Sequence, residues 1–199
     1  FAHKEDRQYG LSRYDGSSWS TYSASGKLVS NEVETMAVGQ NGDLWVGTDK
    51  GISRYDGQSW SSVTTSNSAL GSNLVEDIDV DSNGTVWVAT QGGLYEFHGT
   101  DVTKQSDWTV YGNFSPLPYA DVREVAVSGG GSNVYLWVAR SRFELIPGRL
   151  TTAGTGSWTK FTYPTLESSD VNSHEIAVGP QGDVWFANNN GVGRVDTSP

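Results

Sequence analysis

The sequence predicts an all-β protein, a β-propeller of four-stranded antiparallel blades, and three observations support this fold class. A pattern centred on tryptophan recurs at Trp45, Trp87, Trp137 and Trp185, at intervals of 42, 50 and 48 residues. Between these tryptophans, apolar and polar residues alternate in short segments, which Asn-Gly and Asp-Gly turn signals separate. Long runs of helix-forming residues are missing. Four-stranded units without intervening helices favour a propeller over a solenoid.

The first complete repeat illustrates how the elements are predicted. Alternation at period two indicates strands over residues 35–38, 43–47, 51–55 and 59–63. Asn41-Gly42 joins the first two strands and Asp56-Gly57 joins the last two, because both kinds of pair tolerate the positive φ of a tight hairpin. The same division applies to each later repeat.

The repeats define one propeller region over residues 1–199. It divides into a partial blade at 1–22, blades at about 33–64, 75–111 and 122–163, and an incomplete blade at 172–196. About four to five blades are therefore visible, and we expect them to belong to a larger ring of about seven blades. Because the sequence starts with Phe inside a strand pattern, we also expect it to be a fragment of a longer chain.

The tryptophans occupy two positions of the repeat. Those of the second strand, Trp45, Trp87, Trp137 and Trp185, are predicted to be structural, since neighbouring sheets must bury large side chains between their faces. Those that open the fourth strand are Trp19, Trp60, Trp108 and Trp158. An outer strand is more exposed, so this second set could be core or could stack on a sugar.

Composition excludes several classes of function. The net charge of -10 argues against nucleic acid and anionic membrane surfaces as partners, because both require a basic face. The chain has no cysteine, which excludes disulfides, thiolate metal sites and a cysteine nucleophile. No apolar run approaches the length of a membrane helix, so we expect no membrane insertion.

One repeat resembles a known family. Asn-Gly-Asp-Leu-Trp-Val-Gly-Thr at 41–48, followed by Gly-Ile-Ser-Arg-Tyr-Asp-Gly at 51–57, is similar to the two-component-regulator propeller repeat. That family occurs in periplasmic sensor regions of hybrid histidine kinases and in secreted bacterial proteins. The resemblance covers nearly the whole chain, is specific for fold, and implies an extracellular or periplasmic location. Residues 174–186 also resemble the repeat of streptogramin-lyase-type propellers, seven-bladed enzymes that use a His and acidic residues with magnesium.

Candidate binding residues lie where each innermost strand begins and in the loops between second and third strands. In a propeller both regions emerge on one face of the ring, here named the channel face. Ionisable residues differ there from blade to blade, and variation within a repeated frame is where a specific site would be encoded. The candidates are Glu34, Glu76, Asp77, Arg123, Glu124, Arg140, Arg142, His174 and Glu175.

These residues allow more than one chemistry. Arg123, Arg140 and Arg142 fall in one blade and could hold a carboxylate or sulfate, or the charges could simply pair with each other and with water. His174 beside Glu175 is the one pair that looks like general acid-base equipment.

A calcium-loop pattern begins at Asp79. Its twelfth position is Thr90 rather than the bidentate Glu that such a loop requires, and a hairpin turn explains the same letters. We therefore predict no metal site here. We also predict no catalytic residue and no cofactor.

The sequence as a whole predicts a non-enzymatic module of a secreted or periplasmic bacterial protein. It would bind a small molecule, a glycan or a protein partner through the channel face, with the remaining blades supplied by the same longer chain or by another copy. One alternative is a structural subunit or spacer of a surface assembly. The other is a streptogramin-lyase-like enzyme, which rests on His174 and Glu175.

Overall fold

The computed structural model describes residues 10–111, 121–130, 133–139, 148–151, 158–160, 173–179, 183–188 and 191–195. Within these ranges the chain forms antiparallel strands and one 3-10 turn at Gln105–Asp107. The sheets follow one another along the sequence, and each is numbered here as a blade. The prediction of an all-β fold of four-stranded antiparallel sheets is confirmed.

Blades 1 and 5 have fewer than four described strands. Blade 1 pairs β1 (Leu11–Tyr14) with β2 (Trp19–Tyr22). Blade 5 contains β15 (Ser173–Val178), β16 (Val184–Asn188) and β17 (Gly191–Val195).

Blades 2 to 4 each contain four strands in simple sequential order. Blade 2 contains β3 (Val33–Val38), β4 (Leu44–Thr48), β5 (Gly51–Tyr55) and β6 (Trp60–Val63). Blade 3 contains β7 (Val75–Val80), β8 (Val86–Thr90), β9 (Gly93–Phe97) and β10 (Trp108–Tyr111). Blade 4 contains β11 (Glu124–Gly130), β12 (Asn133–Ala139), β13 (Gly148–Thr151) and β14 (Trp158–Lys160).

The predicted turn residues form the hairpins. Gly42 has a φ of 85°, and the Gly39 amide closes the turn by donating to the carbonyl of Asp43 at 2.8 Å. At the next hairpin, the Asp56 carboxylate accepts the amides of Gln58 at 2.8 Å and Ser59 at 2.7 Å. Side-chain capping of this kind fixes the turn and with it the register of the two strands.

Tryptophans of the second strand fill the interfaces between successive blades. Trp45 is buried, lies 5.5 Å from the ring of Phe97 and shares a core cluster with Val75 and Ile78 of blade 3. Trp87 is buried in the same way against Val122 and Val125, at the start of blade 4. Blades 3 and 4 therefore each cover the tryptophan of the blade before them.

Trp185 departs from the expected core position, since 43% of its surface is exposed. Trp45 and Trp87 are covered by the next blade, whereas the part of the chain that the structure describes has no sheet after β17. The backbone of Trp137 lies in β12, but its side chain lies outside the description. In the fourth-strand set, Trp108 is buried and Trp19 is exposed.

No helix in the described residues is long and apolar enough to cross a membrane.

Candidate channel face

The first strands of successive blades lie side by side, with β7 contacting β3 and β11, and β11 contacting β15. Two contacts place the starts of β3 and β7 beside the turns between second and third strands. The Asp49 amide donates to the carbonyl of Glu32 at 3.3 Å, and the Gln91 side chain donates to Glu76 at 3.0 Å. The starts of the first strands and the turns between second and third strands therefore share one face of the molecule, as predicted for the channel face.

A three-residue charge cluster joins blades 3 and 4 on this face. Arg123 Nη1 lies 2.5 Å from Glu76 Oε1, and Arg123 Nε lies 3.1 Å from Asp121 Oδ1. The second contact is within ion-pair distance but is not a hydrogen bond. Both of its atoms are buried, and neither makes a hydrogen bond among the described residues. The guanidinium is thus neutralised by two carboxylates.

Asp77 points along the inner strands rather than out of the face. Its Oδ1 accepts the Thr35 hydroxyl at 2.9 Å and the Ile78 amide at 2.8 Å, and its Oδ2 accepts the Val125 amide at 3.0 Å. This carboxylate therefore links the first strands of blades 2, 3 and 4. Among the described residues β11 is the first strand of its sheet and forms no ladder with β7, so the Asp77 carboxylate supplies an acceptor to an amide on that edge.

Asp79 repeats the arrangement two residues further along β7. Its Oδ2 accepts the Val127 amide at 2.7 Å, and its Oδ1 accepts the Val80 amide at 2.8 Å. Burial raises the pKa of Asp79 despite these two amides, which act in the opposite direction, and the Asp81 charge adds to the rise. Asp79 is not among the predicted site residues, although alternation at period two places it on the same side of the strand as Asp77.

The remaining candidates are placed only in part. Glu34 on β3 and Glu124 on β11 are both partly buried. His174 and Glu175 lie on β15, but their side chains are outside the description, and Arg140 and Arg142 lie outside the described residues altogether. The structure thus brings together Glu76, Arg123 and the missed Asp121. It leaves the proposed arginine trio and the His-Glu pair as predictions.

The calcium-loop pattern forms a hairpin turn. Asp81 Oδ1 accepts the amides of Asn83 and Thr85, each at 2.9 Å, and the Gly84 amide donates to the Asp81 carbonyl at 3.0 Å. Asp81 Oδ1 therefore already accepts two amides of the turn. The turn alone accounts for these residues.

A sequence family described as "Two component regulator propeller" matches residues 27–50, which include β3 and β4. Residues 27–50 are therefore similar to one two-component regulator propeller repeat. The matched residues also include the turn with Gly42 and the start of the β4–β5 connection. No curated protein matches the chain.

Solved structures carry the similarity over most of the chain. The extracellular domain of the putative hybrid two component system BT3049 from B. thetaiotaomicron has a TM-score of 0.72 and 20% identity, covering 92% of this chain and 24% of that one. PorZ, described as an essential bacterial surface component of the type-IX secretion system of Porphyromonas gingivalis, has a TM-score of 0.63 and 20% identity over 90% and 28% of the two chains. A catalytically inactive virginiamycin B lyase from Staphylococcus aureus with quinupristin has a TM-score of 0.62 and 18% identity over 93% and 62%.

These similarities establish the propeller fold, which is used by modules of extracellular sensor and surface proteins. The chain spans about a quarter of the BT3049 domain, at 24%. Sensor domains and a lyase share this fold, so the fold does not separate a binding module from an enzyme.

Proposed function

We propose that this chain is a non-enzymatic binding module of a secreted or periplasmic bacterial protein, and that it takes a ligand or partner at the channel face. The observation that carries the proposal is the convergence of Glu76, Gln91 and Arg123, from two blades, on a face where the repeat frame does not require ionisable side chains. The extracellular domain of a hybrid two component system that has the same fold supports the location, as does the match to the two-component regulator propeller model.

The charges favour a partner that carries cationic or hydroxyl groups. Carboxylates outnumber cations among the described residues of this face, and Arg123 is already neutralised, so an anion would have to displace Glu76 or Asp121. The described carboxylates are those of Glu32, Glu34, Asp49, Glu76, Asp121 and Glu124, and the described cations are Lys50 and Arg123. An anion site built by Arg123 with Arg140 and Arg142 remains the alternative form of the proposal.

The test is a titration of the chain with three probes: a lysine-rich peptide, an uncharged hexasaccharide and a sulfated hexasaccharide. If the acidic surface is the binding element, Glu76→Gln weakens lysine-peptide binding by about fivefold. If the arginines are, Arg123→Ala and Arg140→Ala weaken binding of the sulfated sugar instead. Lys104→Ala, an exposed cation in the loop before β10, is the control that should change neither affinity. Absence of saturable binding to all three probes, or equal loss in the control, would remove the channel face from consideration.

A separate assay addresses the lyase alternative. Incubation of the chain with quinupristin and Mg²⁺, followed by mass spectrometry, should leave quinupristin intact. Cleavage that disappears in His174→Ala would replace the binding proposal with an enzymatic one.

A further inference from the structure

Two Asn-Gly pairs occupy the same kind of turn, between the first and second strands of blades 2 and 3. Each turn ends in a glycine with positive φ, 85° at Gly42 and 86° at Gly84. Each of these glycine amides donates to the carbonyl three residues earlier, at 2.9 Å in blade 2 and 3.0 Å in blade 3. Asn41 and Asn83 therefore precede a glycine in nearly the same backbone environment.

The side chains of the two asparagines differ in how they are held. Asn41 Oδ1 accepts the Asp43 amide at 3.1 Å, which fixes the side chain against the turn. In blade 3 the corresponding amide, that of Thr85, donates instead to Asp81 Oδ1 at 2.9 Å. The Asn83 side chain is thus exposed and makes no hydrogen bond among the described residues.

An asparagine followed by glycine can convert its side-chain amide without an enzyme. The glycine backbone nitrogen bonds to the asparagine Cγ, and the side-chain NH2 leaves as ammonia with the proton of the backbone amide. Water then opens the cyclic imide at either carbonyl, giving aspartate or isoaspartate. Glycine permits the attack because it has no Cβ. Both turns leave room for it, since a Cβ at Gly42 would meet nothing within 4 Å and one at Gly84 only Gln40 Cβ, at 3.9 Å. A third pair, Asn190-Gly191, has its asparagine outside the described residues.

We infer that Asn83 is a site of spontaneous deamidation and isoaspartate formation in the folded chain, and that it reacts faster there than Asn41. Both attacks require the glycine amide to leave its turn bond, so this cost is common to the two sites. The Asn41 side chain must also give up the Asp43 amide before its Cγ can turn toward Gly42. Because one ordinary hydrogen bond is worth a several-fold difference in rate, we expect Asn83 to react about fivefold faster.

The product changes the turn that holds the first hairpin of blade 3. Isoaspartate adds a methylene to the main chain between two amides that Asp81 Oδ1 accepts, those of residue 83 and of Thr85. These two amides then no longer reach one oxygen in the same geometry, and a new carboxylate lies two residues from the buried Asp81. The turn is at the opposite end of β7 from Glu76, so the modification should loosen this hairpin and leave the channel face intact.

The experiment incubates the folded chain in mildly alkaline buffer and follows both asparagines by peptide mass spectrometry. Isoaspartate is detected separately with an isoaspartyl methyltransferase and radiolabelled S-adenosylmethionine. Asn41 is the matched control within the same sample, and conversion at Asn83 should be about fivefold faster. In urea the two rates should become similar, because the contacts of Asp43 and Asp81 are then absent. Asn83→Gln should abolish methyl transfer at residue 83 and leave conversion at Asn41 unchanged, since glutamine would have to form a larger ring.

Three outcomes would overturn the inference. The first is equal or faster conversion at Asn41 in the folded chain. The second is conversion at Asn83 in urea alone, which would mean that the folded turn protects it. The third is a difference between the sites that persists in urea, which would assign it to local sequence. In the isoaspartate form, the Thr85 amide should exchange hydrogen faster, and unchanged exchange would contradict the expected loss of its bond to Asp81.

Discussion

The guanidinium of Arg54 lies on the Asp43 carboxylate, with Nε 2.7 Å and Nη2 2.5 Å from Oδ2, and 5.1 Å above the Trp45 ring. Both partners of this ion pair are largely buried. Blade 5 repeats the arrangement, with Arg194 Nε 2.9 Å from Asp183 Oδ2 and the guanidinium 5.5 Å above the Trp185 ring. The Asp, Trp and Arg thus form a unit inside a blade that ties β4 to β5, or β16 to β17.

Removing the arginine should therefore cost more in blade 2 than in blade 5. Arg54→Ala leaves the buried Asp43 carboxylate without its partner, and we expect the free energy of unfolding to fall by about 3 kcal/mol. Arg194→Ala breaks the same pair where the arginine is nearly half exposed, and the loss should be about 1 kcal/mol or less. Urea unfolding of both variants measures the difference. Equal losses would show that burial does not set the strength of this unit.

Blade 3 lacks the unit, and this allows the pair to be rebuilt. Thr85 and Glu96 stand where Asp43 and Arg54 stand in blade 2, and the buried Trp87 Nε1 makes no hydrogen bond among the described residues. Thr85→Asp alone should destabilise the chain, because it places a second carboxylate beside Glu96. Glu96→Arg alone removes the bond that the Tyr111 hydroxyl donates to Glu96.

The double variant should be more stable than the sum of the single losses predicts, by about 1 to 3 kcal/mol. A double-mutant cycle of urea unfolding free energies measures this coupling. Strict additivity would contradict the idea that the unit is transferable between blades.

The repeat explains why the fold was predictable and the site was not. Strand positions follow from alternation and from turns such as Asn41-Gly42, which are local properties of the sequence. The contact of Glu76 with Arg123 depends on how two blades pack, which no local pattern specifies. Trp185 has the same sequence context as Trp45 yet differs in exposure, because burial depends on the neighbouring sheet. The Asp43 and Arg54 pair could have been found, since its spacing of 11 residues recurs between Asp183 and Arg194.

The inner strands provide a third prediction, at Asp79. Asp79→Ala removes the acceptor of the Val127 amide, so this amide should exchange hydrogen faster, and the chain should lose about 1 to 3 kcal/mol of stability. Asp79→Asn keeps one acceptor oxygen and should be intermediate. The Val125 amide, which is bonded to Asp77, serves as the internal reference for hydrogen exchange measured by NMR. Equal acceleration of both amides would indicate global loosening rather than loss of one bond.

The turn at Asp56 should make stability depend on pH. The amides of Ser59 and Gln58 lower the pKa of Asp56 from its ordinary value of 3.8. A lowered pKa in the folded state contributes stability above pH 3.8, and this contribution disappears as the pH falls through the folded-state value. The difference in urea midpoint between the unmodified chain and Asp56→Asn should therefore be present at neutral pH and shrink in acid. A difference that grows on acidification would contradict this assignment.

Asp79 should give the opposite sign in the same titration. Its pKa is raised, so the folded chain holds this proton more tightly, and the associated stabilisation decreases as the pH rises above 3.8. The stability of the unmodified chain relative to Asp79→Asn should decrease over that range.

Gly47 allows close approach of blades 2 and 3. A Cβ at this position would lie 2.6 Å from Thr35 Cγ2 and 2.7 Å from Val75 Cγ1, both closer than real Cβ contacts, and 3.3 Å from Ile78 Cδ1. Gly47→Ala should therefore push the blades apart and reduce the free energy of unfolding by about 1 to 3 kcal/mol. Gly193→Ala is the matched control, because a Cβ there meets nothing within 4 Å. If urea unfolding gave the same small effect for both substitutions, the interface would have room to relax, and close packing at Gly47 would not be what sets the spacing of the two sheets.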